Sequence, residues 1–347
     1  MKPLATRLQP IAVALALAFA VGVDGAAAQS GQGTLATVKA RGHLICGGHP
    51  GAPGFSQPDS RGEYTGFDTD HCRAIAAAIF GDSRAVRFRP LSSQQRLVAV
   101  QTGEIDVLIR TTTWSMARDT QSGLNVTNTI FYDGQGFLVR KKLGLKSAKQ
   151  LDGASICVTS GTTNELNLAD WSRANNIKIL PLVIDQNDET RKAYESGRCD
   201  AFTTDASQLA GIRTAMTDPD EHVVLPDIIS KEPLGPYVRH GDDQWFDLVK
   251  WTMFALVEAE ELGVTSRNAD EMLKSPSPAI QRLLGISGGF GRMIGLDDRW
   301  AYNAVKAVGN YGEIFERNVG KGSPLQLERG LNALWTKGGL IYAPPIR

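Results

Sequence analysis

Hydrophobic positions follow two alternating periods along the chain from residue 40 onward. Short apolar runs predict buried strands at Leu44 to Cys46 and at Ile105 to Ile109. Between them, a predicted helix runs from Asp68 to Phe80 and is ended by Gly81. Strands that alternate with helices in this way predict an α/β fold, with mainly parallel sheets flanked by helices.

A later stretch of the chain repeats this order of features. Residues 42–46, Gly-His-Leu-Ile-Cys, are echoed by residues 153–157, Gly-Ala-Ser-Ile-Cys. A small residue, a glycine, two further residues and an aspartate precede an apolar run at 102–108 and again at 196–202. Glycine ends many helices, so each echo is weak alone. Their common order predicts two similar lobes.

The composition also predicts how the two lobes are joined. Residues 140–142 begin a polar connector, and the Pro- and Gly-containing residues 233–236 mark a return before a strand at 237–238. Two short crossing segments of this kind form a hinge between rigid bodies. We therefore predict a second lobe at residues 140–232 and a first lobe formed by residues 29–139 and 233–347.

The last hundred residues predict a C-terminal helical extension of the first lobe. Apolar positions with helical spacing run from Trp245 to Leu262, where Gly263 ends the pattern, and again from Trp300 to Val319. Aromatic residues at this spacing are interpreted as core residues.

Residues 1–28 have the features of an export signal. Lys2 and Arg7 precede a nearly continuous apolar run from Ile11 to Val23, and a small-residue cleavage site ends at Ala28. A membrane anchor is the alternative, but a membrane span takes roughly 20 apolar residues. The residue directly after the cleavage site is Gln29 and not a cysteine, which argues against a lipid anchor. We expect a periplasmic protein that is cleaved after Ala28.

Charge and composition argue against several classes of function. Loss of residues 1–28 removes two of the 37 basic and one of the 37 acidic residues, which leaves a net charge of −1. This balance gives no electrostatic reason to expect nucleic-acid binding. The five histidines and four cysteines lack paired ligand spacing, so neither a metal nor a cofactor is expected.

The four cysteines allow three disulfide connectivities in an exported protein. Bonds Cys46–Cys72 and Cys157–Cys199 would each join a strand to a neighbouring element within one lobe. The other connectivities would tie the lobes together and prevent hinge motion. We therefore prefer the first.

Several short motifs in the chain resemble those of a known family. They are Gly66-Phe67-Asp68-Thr69-Asp70, Asp106-Val107-Leu108-Ile109, Thr111-Thr112-Thr113, Arg118, residues 160–165 and Asp205. This set, spread over most of residues 40–260, resembles the family 3 extracellular solute-binding proteins, the polar amino-acid receptors of ABC importers. Residues 111–114, residues 132–137 and the tail after Gly285 are most similar to the general L-amino-acid-binding branch.

The resemblance implies a two-lobe, type II periplasmic binding protein fold with a two-segment hinge. It also implies the function: capture of L-amino acids with broad specificity through their α-carboxylate and α-ammonium groups, and delivery to an inner-membrane ABC permease. A monomer without enzymatic activity is expected.

The resemblance places Arg118, Thr111 and Thr113 of the first lobe against the ligand. Arg118 offers the carboxylate of the ligand a planar, permanently charged fork for two parallel hydrogen bonds. Thr111 and Thr113 follow the carboxyl end of a strand, where open α/β sheets bind ligands, and by the resemblance main-chain and hydroxyl groups here contact both ends of the zwitterion. The alternative for Arg118 is a surface arginine that pairs with Asp119.

The second lobe is expected to contribute a helix start and an acid. Thr162 and Glu165 fit a capping box, and the helix start at Thr162 and Thr163 offers free N–H groups to a carboxylate. Helix capping alone is the simpler interpretation. Asp205 follows a strand and, by the resemblance, accepts the α-ammonium; the competing role is a structural N-cap.

Phe55 resembles the aromatic residue that covers the side chain of the ligand, with ordinary core packing as the alternative. No tyrosine precedes it, and Arg110 stands where many relatives have a small residue. Strict selectivity for lysine or arginine is therefore not expected.

The rival hypothesis is an enzyme on the same scaffold, such as a dehydratase acting on a cyclic dicarboxylic acid. It requires a general acid or base near the leaving group, and no residue stands out for that role. The Gly-Ile-Ser-Gly-Gly string at 285–289 matches a serine-hydrolase motif, but no histidine follows His240 to complete a triad.

Overall fold

The structure is a computed structural model that describes residues 33–347. The predicted export signal, residues 1–28, lies outside the described residues. The strands within the described part are β1 (Leu44–Gly48), β2 (Gln57–Pro58), β3 (Tyr64–Thr65), β4 (Val86–Pro90), β5 (Val107–Leu108), β6 (Leu124–Val126), β7 (Phe131–Asp133), β8 (Gln135–Arg140), β9 (Ser155–Thr159), β10 (Leu180–Ile184), β11 (Ala201–Asp205), β12 (His222–Val224), β13 (Glu232–Leu234) and β14 (Tyr237–Arg239).

The helices lie between these strands and, in larger number, after them. They are α1 (Thr34–Arg41), α2 (Phe67–Phe80), α3 (Arg96–Thr102), α4 (Met116–Thr120), α5 (Thr163–Asn175), α6 (Asn187–Glu195), α7 (Ala206–Thr214), α8 (Asp243–Glu261), α9 (Ala269–Met272), α10 (Pro278–Leu283), α11 (Phe290–Met293), α12 (Trp300–Val308) and α13 (Tyr311–Asn318).

Two five-stranded sheets share one plan. The first has the order β4-β1-β5-β14-β6, and the second has the order β10-β9-β11-β8-β12. In each sheet, the first three strands in this order are parallel to one another. The fourth strand pairs antiparallel with the strand on either side of it. The echoed segments at 42–46 and 153–157 lead into β1 and β9, which occupy the same place in the two sheets. The internal repeat therefore corresponds to a structural repeat.

The chain passes between the sheets twice, along two strands that pair with each other. β7 carries it away from the first sheet and β13 brings it back, with Phe131 opposite Leu234 and Asp133 opposite Glu232. We call residues 33–130 and 235–347 the first-sheet half and residues 134–231 the second-sheet half.

One strand differs from the sequence prediction. The sequence predicts that residues up to 139 belong to the first lobe, but β8 pairs with β11 and β12 in the second sheet. The crossing therefore lies at 131–133, upstream of the basic residues at 140–142. The basic residues at 140–142 therefore do not mark the boundary between the two halves.

Helix ends follow local sequence signals. α2 ends at Gly81, as predicted, and α3 ends at Gly103; both glycines have the left-handed conformation. The helix expected over 300–319 is instead two helices, α12 and α13. Gly309, at φ 86°, breaks the first, and the Asn310 side chain accepts a hydrogen bond from the backbone N–H of Glu313 to start the second.

The C-terminal helices enlarge the core of the first-sheet half. α12 packs along α2, and α8 packs against both. Within the described part of the chain, no helix combines the length and the apolar character needed to span a membrane.

Both preferred disulfides are present. Cys46 on β1 is bonded to Cys72 on α2, and Cys157 on β9 is bonded to Cys199, just before β11. Each bond stays within one half, which leaves the halves connected only by the chain and by non-covalent contacts.

Candidate functional site

A narrow cavity of about 10 Å3 lies between the two halves at the carboxyl ends of the parallel strands. The first-sheet half contributes His49, Ser93, Arg96, Arg110, Thr111 and Thr113, and the second-sheet half contributes Thr162, Thr163, Asn164, Asn187, Thr204, Asp205 and Gln208. Five of the predicted ligand-binding residues line it. Phe55 and Arg118 do not.

Thr111 lies in the cavity wall with a strained backbone. Its φ of 39° is in the left-handed region, which a β-branched residue adopts rarely. The Thr111 N–H donates to Asp68 Oδ2 over 2.8 Å, and this bond holds the loop in place. Asp68, the acid of the Gly-Phe-Asp motif, is buried, and loss of hydration raises its pKa to about 7. The motif therefore shapes the site without lining it.

Thr113 and Thr163 meet across the cavity at a buried glutamate. Their hydroxyls both donate to Glu232 Oε2, with a distance of 2.8 Å from Thr163. Asn167 Nδ2 and Ser230 Oγ both donate to Oε1 over 2.6 Å. Glu232 is only 1% exposed and belongs to the crossing strand β13. Glu232 links both halves, and no pattern in the sequence indicates this role.

The start of helix α5 differs in one detail from the predicted capping box. The Thr162 hydroxyl accepts from the N–H of Glu165 over 3.2 Å, as a cap should. The Glu165 carboxylate, however, accepts from the N–H of Gly161 rather than from that of Thr162. The glutamate supports the preceding turn, and the helix N-terminus faces the cavity through Thr162 and Thr163.

Asp205 is a buried acid that forms no ion pair within residues 33–347. Asn164 Nδ2 donates to its Oδ1 over 3.0 Å, and Gln208 Nε2 donates to its Oδ2 over 2.9 Å. Burial first, and then the charges of Asp133 and Glu232, raise the pKa of Asp205 well above its usual range. Its position is the N-cap of α7, but its side chain makes no capping bond. The competing structural role is therefore not supported.

Two buried arginines on the wall, Arg96 and Arg110, had not been assigned a role from the sequence. Arg96 is 4% exposed and Arg110 is 1% exposed. None of the ion pairs within residues 33–347 includes either arginine or Asp205. One feature of the sequence could have indicated that Arg96 is buried. With helical spacing, it lies on the same face of α3 as the apolar residues Ala99 and Val100.

Arg118 stands behind the cavity wall. Its Nη1 donates to the carbonyl oxygen of Thr113 over 3.0 Å, and Tyr237 donates its hydroxyl to the same oxygen. No ion pair with Asp119 occurs within the described residues. The alternative of a surface pair with Asp119 is therefore not supported.

Phe55 lies in the core. It is fully buried, with its ring centroid 5.2 Å from that of Phe131 and 6.0 Å from that of Phe67. Gly66 lies against its backbone so closely that a Cβ would sit 2.2 Å from the Phe55 oxygen. This position agrees with the alternative of core packing, and the cover of a ligand side chain by Phe55 stays a prediction.

No group of three or more His, Cys, Asp or Glu residues in the described part of the chain is arranged to hold a metal ion. The groups that line the cavity are hydrogen-bonding side chains, the guanidinium groups of Arg96 and Arg110, and the carboxylate of Asp205. Such a wall suits a small ligand with groups of both charges.

Comparison with known proteins identifies the family. Residues 44–268 match the bacterial extracellular solute-binding proteins, family 3. The chain is 54% identical over 334 residues to the general L-amino acid-binding periplasmic protein AapJ of Rhizobium johnstonii, covering 96% of this chain and 97% of that protein. It is 51% identical over 332 residues to the glutamate/glutamine/aspartate/asparagine-binding protein BztA of Rhodobacter capsulatus, and the match covers 95% of this chain and 97% of that protein.

A solved structure agrees over nearly the whole chain. The ABC transporter periplasmic binding protein from Brucella ovis with glutathione bound has 54% identity and a TM-score of 0.90, covering 91% of this chain and all of that one. The architecture is the type II periplasmic binding protein fold. The chain therefore belongs to the bacterial extracellular solute-binding proteins of family 3.

Proposed function

We propose that the protein is the periplasmic receptor of an ABC importer and captures L-amino acids with broad specificity. The observation that carries this proposal is a pair of opposite charges buried in one cavity without ion-pair partners, the Arg96 guanidinium and the Asp205 carboxylate. Burying an unpaired charge is costly. A free amino acid supplies an ammonium and a carboxylate together, so its binding neutralises both.

Each wall of the cavity has a defined part in this proposal. Asp205 accepts hydrogen bonds from the α-ammonium, while Asn164 and Gln208 hold its carboxylate in position. The hydroxyl groups of Thr111 and Thr113, the N-terminus of α5 at Thr162 and Thr163, and Arg118 bind the α-carboxylate. Arg96, on the same wall, is the buried cation whose charge the carboxylate offsets. The structure has Arg118 donating to the Thr113 carbonyl, so a small rotation of its guanidinium is part of this proposal.

Binding and closure are linked because the ligand touches both halves. A ligand shifts a conformational equilibrium only by its difference in affinity for the two states. An amino acid held by Thr113 on one side and Asp205 on the other binds the closed state better. The hinge strands are β7 and β13, which revises the predicted lobe boundaries to residues 131–133 and 232–234. A permease that contacts both halves distinguishes closed from open receptor, and the receptor acts as a monomer.

The periplasmic location rests on the named relatives and on the predicted signal. Both AapJ and the Brucella ovis protein are named as periplasmic. N-terminal sequencing of protein purified from the periplasm should begin at Gln29. A first residue at Met1 would contradict cleavage after Ala28.

Calorimetry against the proteinogenic amino acids tests the central proposal. Several amino acids should bind with one site per chain, and Asp205→Asn should bind none of them while it unfolds at the wild-type temperature. As a matched control, Asp220→Asn alters an acid outside the cavity and should bind as the wild type does. Normal binding by Asp205→Asn would refute the assigned ammonium site.

A larger ligand with an amino-acid end is a second candidate. A second cavity of about 210 Å3 adjoins the first and shares Asn187 and Gln208 with it. The Brucella ovis protein is described with glutathione bound, a molecule whose γ-glutamyl end has free ammonium and carboxylate groups. Competition between glutathione and an amino acid in calorimetry tests this, and absence of competition would exclude a shared site.

The enzyme hypothesis has less support. Relatives that cover almost the whole chain are named as binding proteins. Incubation of the purified protein with a cyclic dicarboxylic acid should leave the acid unchanged.

A further inference from the structure

The segment that follows α13 is fixed at its start to the first-sheet half. We call residues 319–333 the strap. Just before it, Asn318 Nδ2 donates to Asp70 Oδ2 over 2.7 Å. The N–H of Leu327 donates to the Val319 carbonyl oxygen over 2.9 Å, which closes the strap into a compact loop. The start of the strap is therefore held against helix α2, which carries Asp70.

The end of the strap is fixed to a hinge strand. The N–H of Tyr132 donates to Asn332 Oδ1 over 2.7 Å, and Asn332 Nδ2 donates to the Tyr132 carbonyl oxygen over 3.0 Å. The buried Asn332 side chain thus pairs with β7 as a neighbouring strand would. Because both ends are hydrogen-bonded, the middle of the strap has a defined position on the first-sheet half.

Leu325, in the middle of the strap, contacts one glycine from each half. A Cβ on Gly54, in the first-sheet half, would lie 2.7 Å from Leu325 Cδ2. A Cβ on Gly211, on helix α7 of the second-sheet half, would lie 3.4 Å from the same carbon. None of these three residues lines either of the two cavities between the halves. Leu325 therefore joins the halves outside the ligand site.

Gly211 is explained by close packing between the halves and not by its backbone conformation. It lies inside α7 and is not among the glycines of the described part that have a left-handed φ. Alanine would stabilise such a helix. A Cβ here, however, would lie 2.6 Å from the Pro53 carbonyl oxygen, which belongs to the first-sheet half. The halves fit together in this way only because residue 211 has no side chain.

Helix α7 couples this contact to the ligand site. Gln208, three residues before Gly211, donates to Asp205 and lines the first cavity. Asp205 directly precedes the helix. Since a helix moves as one rigid element, the contact at Gly211 and the position of Asp205 change together when the halves separate.

We propose that the strap is the surface against which α7 packs as the halves close, and that Leu325 and Gly211 are positioning residues for ligand capture. This inference rests on the proposed function and extends it to residues that do not touch the ligand. The contact forms only in the closed arrangement, so it stabilises that arrangement equally for every ligand. The alternative is that Leu325 packs only within its own half, against Gly54, and leaves affinity unchanged.

Calorimetry of the wild type and of Gly211→Ala with L-glutamine and L-leucine tests the proposal. The added Cβ obstructs closure at the Pro53 carbonyl oxygen, so both affinities should fall about tenfold or more, and by the same factor. Without ligand, the variant should unfold at or above the wild-type temperature, because alanine favours the helix. A loss of affinity without a loss of stability distinguishes a closing contact from a merely structural one.

Leu325→Ala removes the other side of the contact. Both affinities should fall about three- to tenfold, by one common factor, since the apolar contact made on closing is lost. Leu340→Ala is the matched control, because Leu340 is 50% exposed and lies outside the strap. It should bind both amino acids as the wild type does.

The other outcomes separate this inference from the proposed function. Wild-type affinity in Gly211→Ala, or equal affinities in Leu325→Ala and Leu340→Ala, would overturn the role of the strap and leave the proposed function standing. Different factors for the two amino acids would mean that these residues act on the ligand side chain, which would also overturn it. If the wild type binds neither amino acid, the proposed function fails and this inference fails with it. If Gly211→Ala does not fold, Leu325→Ala decides the inference alone.

Discussion

The hydroxyl oxygens of Thr113 and Thr163 lie 3.3 Å apart, one from each half of the molecule, and both donate to one carboxylate oxygen of Glu232. Gln94 Nε2 also donates across the same boundary, to Ser160 Oγ over 2.8 Å. The halves are therefore joined directly by hydrogen bonds beside the cavity. These bonds belong to the closed arrangement, since separation of the halves would break them.

Glu232→Gln should weaken closure and with it ligand affinity. The amide keeps the shape, but it loses the charge that strengthens the hydrogen bonds from Thr113 and Thr163. Loss of one charge-assisted interaction corresponds to about 1.5–3 kcal/mol, so the dissociation constant should rise by roughly ten- to a hundredfold. Calorimetry measures the affinity, and small-angle scattering measures the fraction of closed protein.

Glu221→Gln is the control for this prediction, because Glu221 is exposed and lies outside the cavity. Unchanged affinity in Glu232→Gln would show that the network contributes nothing to the closed state.

Ligand binding should release a proton. Burial and the neighbouring acids Asp133 and Glu232 raise the pKa of Asp205 in the free protein, so part of the population carries a proton there. The ligand ammonium favours the ionised form and lowers that pKa. Affinity therefore increases with pH between the two pKa values and is lost as the pH falls through that interval.

Titration in two buffers with different ionisation enthalpies measures the proton count directly. At a pH within this interval, up to about one proton should be released per ligand, as expected for a single linked acid. Proton uptake on binding would contradict the assigned role of Asp205.

Removal of the second disulfide should lower stability without altering the site. The bond Cys157–Cys199 spans 42 residues, and neither cysteine lines the cavity. The loop-entropy relation for this length gives about 4 kcal/mol of stabilisation. Urea unfolding of the Cys157→Ser/Cys199→Ser variant should show this loss, with ligand affinity of the folded protein unchanged. A large loss of affinity would mean that the bond positions the site.

Phe55→Ala should destabilise the protein, because it removes a ring from the hydrophobic core. Deletion of a buried aromatic ring typically costs about 3–5 kcal/mol, and Phe55 packs against Phe67 and Phe131. Phe55→Leu should cost less and bind the ligand normally. A Phe55→Leu protein of wild-type stability with weakened binding would instead support the role of ligand cover.

Local sequence signals determined a large part of this fold. These signals lie between neighbouring residues. They are the apolar run that forms β1, the glycines that end α2 and α3, and the short repeat that gives β1 and β9 equivalent places in the two sheets. The cysteine pairing followed from the same repeat. Periodicity and helix-end chemistry act over a few residues, so they can be recognised in a sequence.

The tertiary structure decided the rest. The sheet that β8 joins, the break at Gly309 and the core position of Phe55 each depend on which distant surface is available for packing. The polar chemistry of the cavity depends even more on the fold, because Arg96 and Asp205 are far apart in the chain and Glu232 reaches the site from a crossing strand. The sequence by itself determined the two-lobe α/β plan and the family. Only folding decided which charges share one buried space, because the energy of a charge depends on its three-dimensional surroundings and not on its neighbours in sequence.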